Sequence, residues 1–105
     1  MIRYMRVAKS IHGRGGEAIK WSTEVTGYIN TQYPEVRLSV FTSRFGDMNN
    51  IYWCADVEDL TTLDRWQKQI AADRGYRELR RKAVDLFVQD SVQDMVLSSV
   101  TAAAE

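Results

Sequence analysis

Apolar and polar residues alternate from Ile2 to Ile11, with Ile2, Tyr4 and Ala8 on one face and Met5, Val7 and Ile11 on the other. Alternation with apolar groups at both parities predicts a strand covered, at least in part, on both sides. The glycines of His12–Gly16 end it and permit a turn. The period then changes. From Glu17 to about Gln32, Ala18, Trp21, Val25, Tyr28 and Ile29 form one helical stripe, leaving Lys20, Glu24 and Asn30 for solvent. Pro34 marks the return, because the residue before a proline is driven out of helical geometry.

Alternation resumes from Val36 to Phe45 and again from Ile51 to Val57, separated by the turn-forming run GDMNN, which reads as a hairpin. A helix follows, with Asp59 and Thr61 as candidate N-caps and Thr61/Asp64 in the form of a capping box. Leu63, Trp66 and Ile70 are its buried stripe. At AADRGY the helix pauses, with Gly75 as the expected C-cap, and a second segment carries Tyr76, Leu79, Ala83, Leu86 and Phe87. Residues 92–100 make the last strand, and 101–105 read as a disordered tail behind a single domain at 1–100.

The order is therefore βαββαβ, an α+β ferredoxin-like arrangement: a four-stranded antiparallel sheet with its helices on one face. Phe41, Phe45, Tyr52, Trp53, Met95 and Leu97 spread apolar groups over both parities of the strands. An uncovered apolar sheet face in such a protein predicts a partner. Two copies packed face to face about a two-fold axis would form a dimeric α/β barrel.

Composition narrows the function classes. Fourteen Lys and Arg balance fourteen Asp and Glu, which argues against a duplex nucleic-acid partner and against attraction to an anionic membrane. No apolar stretch approaches the ~20 residues needed to cross a bilayer, and the N-terminus has no signal-peptide pattern. With Cys54 as the only cysteine, no intrachain disulfide is possible, and a reducing, cytoplasmic setting is expected. Cys54 itself reads as a buried, inert strand residue. One His and one distant Cys supply no metal-ligand spacing, so neither a metal nor another cofactor is expected.

The segment Gly46–Trp53, the acidic helix start after it, and Ala72–Tyr76 resemble the NIPSNAP-like members of the dimeric α/β-barrel superfamily; Arg74-Gly75 stands in place of the usual proline region. The resemblance implies a homodimer with a cavity in each protomer between sheet and helices. In the wider superfamily it points to cofactor-free quinone-forming monooxygenases, haem-degrading oxygenases, polyketide cyclases and chlorite dismutase-like proteins. A small hydrophobic or aromatic metabolite is the expected ligand. Catalysis on an aromatic or polyketide substrate is the alternative.

Candidate catalytic groups are His12, Arg6, Asn50 and Tyr76; candidate ligand contacts are Tyr4, Arg44, Trp53 and Trp66. His12, the only histidine, reads as a solvent-exposed loop residue in preference to a general base or haem ligand at the cavity mouth. Superfamily monooxygenases use Asn, Trp, Tyr and Arg to hold and deprotonate a phenol, an electron-rich group that reacts with oxygen directly. Tyr4, Arg6 and Arg44 are the hydroxyl and cations available for such an anion. The helical and strand positions of Trp66 and Trp53 favour plain core packing for each. HGRGGE has neither the spacing of a phosphate loop nor that of a dinucleotide fingerprint and reads as a turn. Arg77, Arg80, Arg81 and Lys82, interleaved with Glu78 and Asp85, read as a solvated helix face. Convergence of the polar candidates on one cavity is what separates binding from catalysis.

Overall fold

The computed structural model describes residues 1–101; all but the first residue of the expected tail lies outside them. The elements run β1 (Ile2–Lys9), α1 (Gly15–Gln32), β2 (Ser39–Thr42), β3 (Asn50–Val57), α2 (Leu60–Ala71), α3 (Arg74–Lys82) and β4 (Gln93–Ser98). The sheet order is β2-β3-β1-β4, with every neighbouring pair antiparallel. β1 and β3 are therefore central, and each helical crossover joins strands separated by one other. This is the expected ferredoxin-like split arrangement.

Strand parity decides what each residue meets. In β3, Ile51, Trp53, Ala55 and Val57 are buried against the helices, while Asn50, Tyr52 and Cys54 on the other face are half-buried. In β1, Tyr4 and Ala8 face inward, and Arg6 shares their parity through its pairing with Trp53. The stripe Ala18, Val25, Ile29 of α1 and the stripe Leu63, Trp66, Ile70 of α2 complete the core. The period-two strands and helical stripes were both visible in the chain.

Five local expectations change. The second strand starts at Ser39, not Val36, because the Asn30 side chain occupies both backbone groups of Leu38: its Nδ2 donates to Leu38 O and its Oδ1 accepts from Leu38 N, each at 2.9 Å. Asn30 is thus a clamp between α1 and β2, not a solvent-facing residue. Asp59 alone caps α2, accepting from Thr62 N at 2.8 Å, so Thr61 forms no capping box.

Gly75 is not a C-cap. It lies in the first turn of α3, whose N-cap is Asp73, accepting from Tyr76 N at 2.8 Å. A Cβ at Gly75 would stand 2.2 Å from the Tyr28 hydroxyl oxygen, so only glycine admits this approach of α1 to α3. The hydroxyls of Tyr28 and Tyr33 both donate to Asp73, the former at 2.7 Å. One carboxylate thereby starts α3 and ties it to α1. Cys54, finally, is half-buried on the face away from the helices, where burial raises its thiol pKa.

Candidate functional site

Between the sheet and the helices lies a cavity of about 570 Å³. β1 contributes Tyr4 and Arg6, α1 contributes Trp21, β3 contributes Trp53, α2 contributes Trp66 and Gln67, α3 contributes Tyr76 and Arg80, and β4 contributes Asp94. All three tryptophans of the chain line it. The turn region after α3 closes one side: Val88 N donates to Lys9 O and Ile11 N to Leu86 O, which fixes this segment to the end of β1. Phe87 is held there with its ring centroid 5.6 Å from Trp21 and 5.9 Å from Trp53, and the two indoles meet edge to face. Tyr4 and Trp66 form a second edge-to-face pair at 6.4 Å. Such packing fixes the rings and leaves a wall that is apolar, polarisable and rigid.

Gln67, Arg80 and one ion pair interrupt this wall. Arg6 Nε and Nη2 donate to Asp94 Oδ1 and Oδ2 at 2.7 and 2.9 Å, a bidentate pair across β1 and β4. The pairing holds the Asp94 carboxyl below its usual range and the Arg6 guanidinium above its own. Burial pushes the Tyr4 phenol up to about 12, so it stays protonated at neutral pH. Trp21 Nε1 donates to Leu79 O at 2.7 Å, whereas the N–H of Trp66, only 2 % exposed, has no acceptor among the described residues. A buried donor without a partner is costly and uncommon.

The exposed lining residues are Ala71, Arg80, Val84, Val92 and Asp94, so the mouth opens between the ends of α2 and α3 and β4. Arg80 lies with its guanidinium carbon 6.0 Å from the Tyr76 ring centroid. A smaller hollow of about 370 Å³ lies on the opposite sheet face, lined by Arg3, Met5, Arg37, Phe41 and Cys54 among others. Phe41 is its only aromatic ring.

Of the sequence candidates, Tyr4, Arg6, Trp53, Trp66 and Tyr76 meet at the large cavity. His12, Arg44 and Asn50 do not. His12 is exposed in the turn after β1, and Arg44 is exposed in the β2–β3 connection. Asn50 sits on the sheet face away from the helices, where its Nδ2 lies 3.4 Å from the Tyr52 hydroxyl. Trp21, Gln67, Arg80 and Asp94 were not among the candidates. Asp94 carried a usable signal: it shares strand parity with Val92 and Val96, as Arg6 does with Tyr4 and Ala8. A charge on an apolar parity asks for a partner, and each is the other's. Among the described residues no group of three or more His, Cys, Asp or Glu is placed to hold a metal ion, and no helix is long and apolar enough to cross a membrane.

No family model and no curated protein sequence matches the chain. Its fold, however, is shared with solved structures over nearly its whole length. An uncharacterized NIPSNAP domain protein from Burkholderia xenovorans superposes with a TM-score of 0.83 at 20% identity, covering 100% of both chains. A NIPSNAP family protein from Agrobacterium tumefaciens superposes at 0.81 with 15% identity, covering 99% of this chain and 92% of the other. An antibiotic biosynthesis monooxygenase follows at 0.72 and 14% identity, covering 96% of this chain and 100% of its own. The resemblance read from Gly46–Trp53 and Ala72–Tyr76 therefore holds at the level of fold: this chain has the ferredoxin-like architecture of NIPSNAP domain proteins, and antibiotic biosynthesis monooxygenases match it as well.

Proposed function

We propose that this protein binds a small aromatic metabolite in the cavity between sheet and helices, and does so as a homodimer. The observation that carries the reading is the wall itself: three tryptophans and Phe87 around one interior space with a paired Arg6–Asp94 and an unpartnered Trp66 N–H. Flat rings pack against such surfaces. The dimer reading rests on the opposite sheet face, where Phe41, Met95 and Leu97 are between 43% and 54% exposed beside Met5 and Val7. Packing that face on its copy would remove a contiguous apolar surface from water.

Binding is favoured over catalysis because the cavity lacks a group poised to take a proton near neutral pH. His12 is elsewhere, Asp94 is held as a weak base by Arg6, and Tyr4 is a very weak acid. A second reading, cofactor-independent oxygenation or cyclisation of an aromatic substrate, is supported by the fold shared with an antibiotic biosynthesis monooxygenase and by the aromatic cavity. In that reading an electron-rich substrate reacts with oxygen itself, and the protein orients it.

Native mass spectrometry of the purified protein tests the main reading. The expected spectrum is a dimer carrying a co-purified aromatic mass, or one that takes up aromatic compounds added in solution. A monomer that retains none of them, with tryptophan emission unchanged by the same compounds, would overturn it. Oxygen uptake with the retained compound is the further result that would promote the second reading.

A further inference from the structure

The ionisable groups lining the cavity do not balance. Arg6 and Asp94 neutralise each other at hydrogen-bond distance, and Tyr4 is uncharged. What remains is one cation, Arg80, at the mouth; among the described residues it pairs with no carboxylate. Its neighbour Arg81 is held by Glu78 at 2.8 Å, and Arg77 Nε donates to the Ala71 carbonyl at 3.2 Å. The basic run that reads in sequence as a solvated helix face is therefore split. Part is engaged on its own helix or the preceding one, and Arg80 faces the cavity beside the exposed Val84 and Val92.

Deepening the binding reading above, on which this rests, we propose that the ligand is an aromatic anion: its ring lies among the tryptophans and its negative group stays at the mouth, against Arg80. An aromatic wall by itself would favour a cation. Here the only carboxylate in the lining is already taken by Arg6, so an entering cation would meet Arg80 without compensation. An anion driven further in would have to compete with Asp94 for Arg6, whose guanidinium already holds both carboxylate oxygens. At the mouth an anion keeps part of its hydration while meeting an unpaired guanidinium suited to carboxylates, sulfonates and phosphates.

The test uses two probes with one aromatic body: anilinonaphthalene sulfonate and its uncharged parent, phenylnaphthylamine. Binding is read by quenching of tryptophan emission, since all three tryptophans belong to the cavity wall. Arg80→Gln is expected to weaken the sulfonate roughly three- to fivefold, as for a solvent-exposed ion pair, and to leave the neutral parent unchanged. Arg80→Lys should restore most of the loss, and added salt should weaken the sulfonate alone. Arg37→Gln, at the hollow on the other sheet face, should affect neither probe. If Arg80→Gln leaves sulfonate binding intact, or weakens both probes equally, the anion inference fails while the cavity reading stands. If neither probe quenches the tryptophans, the binding reading fails as well.

Discussion

The two faces of the sheet are built from the same strands and read in alternate residues, yet they solve opposite problems. Each carries a bidentate Arg–Asp pair rooted in β1. Arg3 reaches Asp56 of β3 on the face away from the helices, and Arg6 reaches Asp94 of β4 on the helix face. On the first face the pair is exposed to solvent, beside side chains that no described residue covers. On the second it is also partly exposed, but it lines the aromatic cavity. A surface pair adds little to stability. A pair at a cavity wall fixes charge where a ligand must pass. The helix face is thus packed within one chain around a cavity; the other face carries a shallower hollow and exposed apolar side chains.

The largest effect that would break this contrast is truncation of an aromatic wall residue. Trp66→Ala should destabilise the fold by about 3–5 kcal/mol, because the indole is buried and its neighbours cannot all collapse into the space. Phe41→Ala, at 54% exposure, should cost an isolated chain less than about 1 kcal/mol. Urea unfolding at several protein concentrations checks both. If Phe41→Ala matches Trp66→Ala in dilute solution, the faces are not energetically distinct within one chain.

Gly75→Ala comes next, and it attacks the attachment of α3 to the rest of the helix layer. The new methyl would lie 2.2 Å from the Tyr28 oxygen and 2.7 Å from its ring carbon, so α1 or α3 must shift. The expected cost is about 1–3 kcal/mol, as for overpacking in a filled interior. In a Tyr28→Ala background the penalty should vanish or reverse, since alanine is the better helix former by about 1 kcal/mol. A thermodynamic cycle on the four proteins measures this. Equal costs in both backgrounds would mean that the Tyr28 contact is not what requires glycine.

This glycine also shows what the chain's pattern conceals. A glycine after a helical stripe reads as a stop, and nothing local reveals a tyrosine 47 residues earlier occupying the space of its missing side chain. Strands, helical stripes and their order were legible because each depends on neighbours within a few positions. The cavity was half legible. Trp53 and Trp66 stand at positions where core packing and a ligand wall have the same period, and only the assembled space separates the two. Asp94 and Arg6, 88 residues apart, were each visible as a charge on an apolar parity, but their union depends on β4 lying beside β1. Arg80 was masked by its basic neighbours.

Asp73 gives a smaller, pH-dependent effect. Hydrogen bonds from Tyr33, Tyr28 and the Tyr76 N–H hold its carboxyl below the ordinary carboxylate value. A folded-state pKa below the unfolded one contributes stability above the unfolded value, and that contribution is lost as pH falls through the folded one. Asp73→Asn should therefore lower stability near neutrality and flatten the loss on acidification below about pH 4. Tyr33, raised to about 12 by the same contact, acts at the other limb: its contribution is intact below the ordinary phenol value and is lost as pH rises through about 12. Thermal unfolding across pH should show the acid-side slope reduced in the variant. An unchanged slope would remove Asp73 from the account.

The finest measurement compares one tyrosine on each face. Tyr4, among the cavity rings, is raised to about 12 by burial, whereas Tyr52 is lowered by hydrogen bonds from Ser43 and Asn50. Ultraviolet difference absorbance should thus show an early tyrosinate phase lost in Tyr52→Phe and a late one reduced in Tyr4→Phe. The early phase also senses the partner. Tyr52 shares its face with Phe41, its direct cross-strand neighbour. If two copies close that face, desolvation must oppose the Ser43 and Asn50 hydrogen bonds and move Tyr52 upward. Dilution or Phe41→Asp should then return the early phase to lower pH, while Tyr4, sealed within its own chain, keeps its late titration. A Tyr52 phase independent of concentration and of Phe41→Asp would leave the open face without its copy, and would confine the contrast between the faces to the single chain.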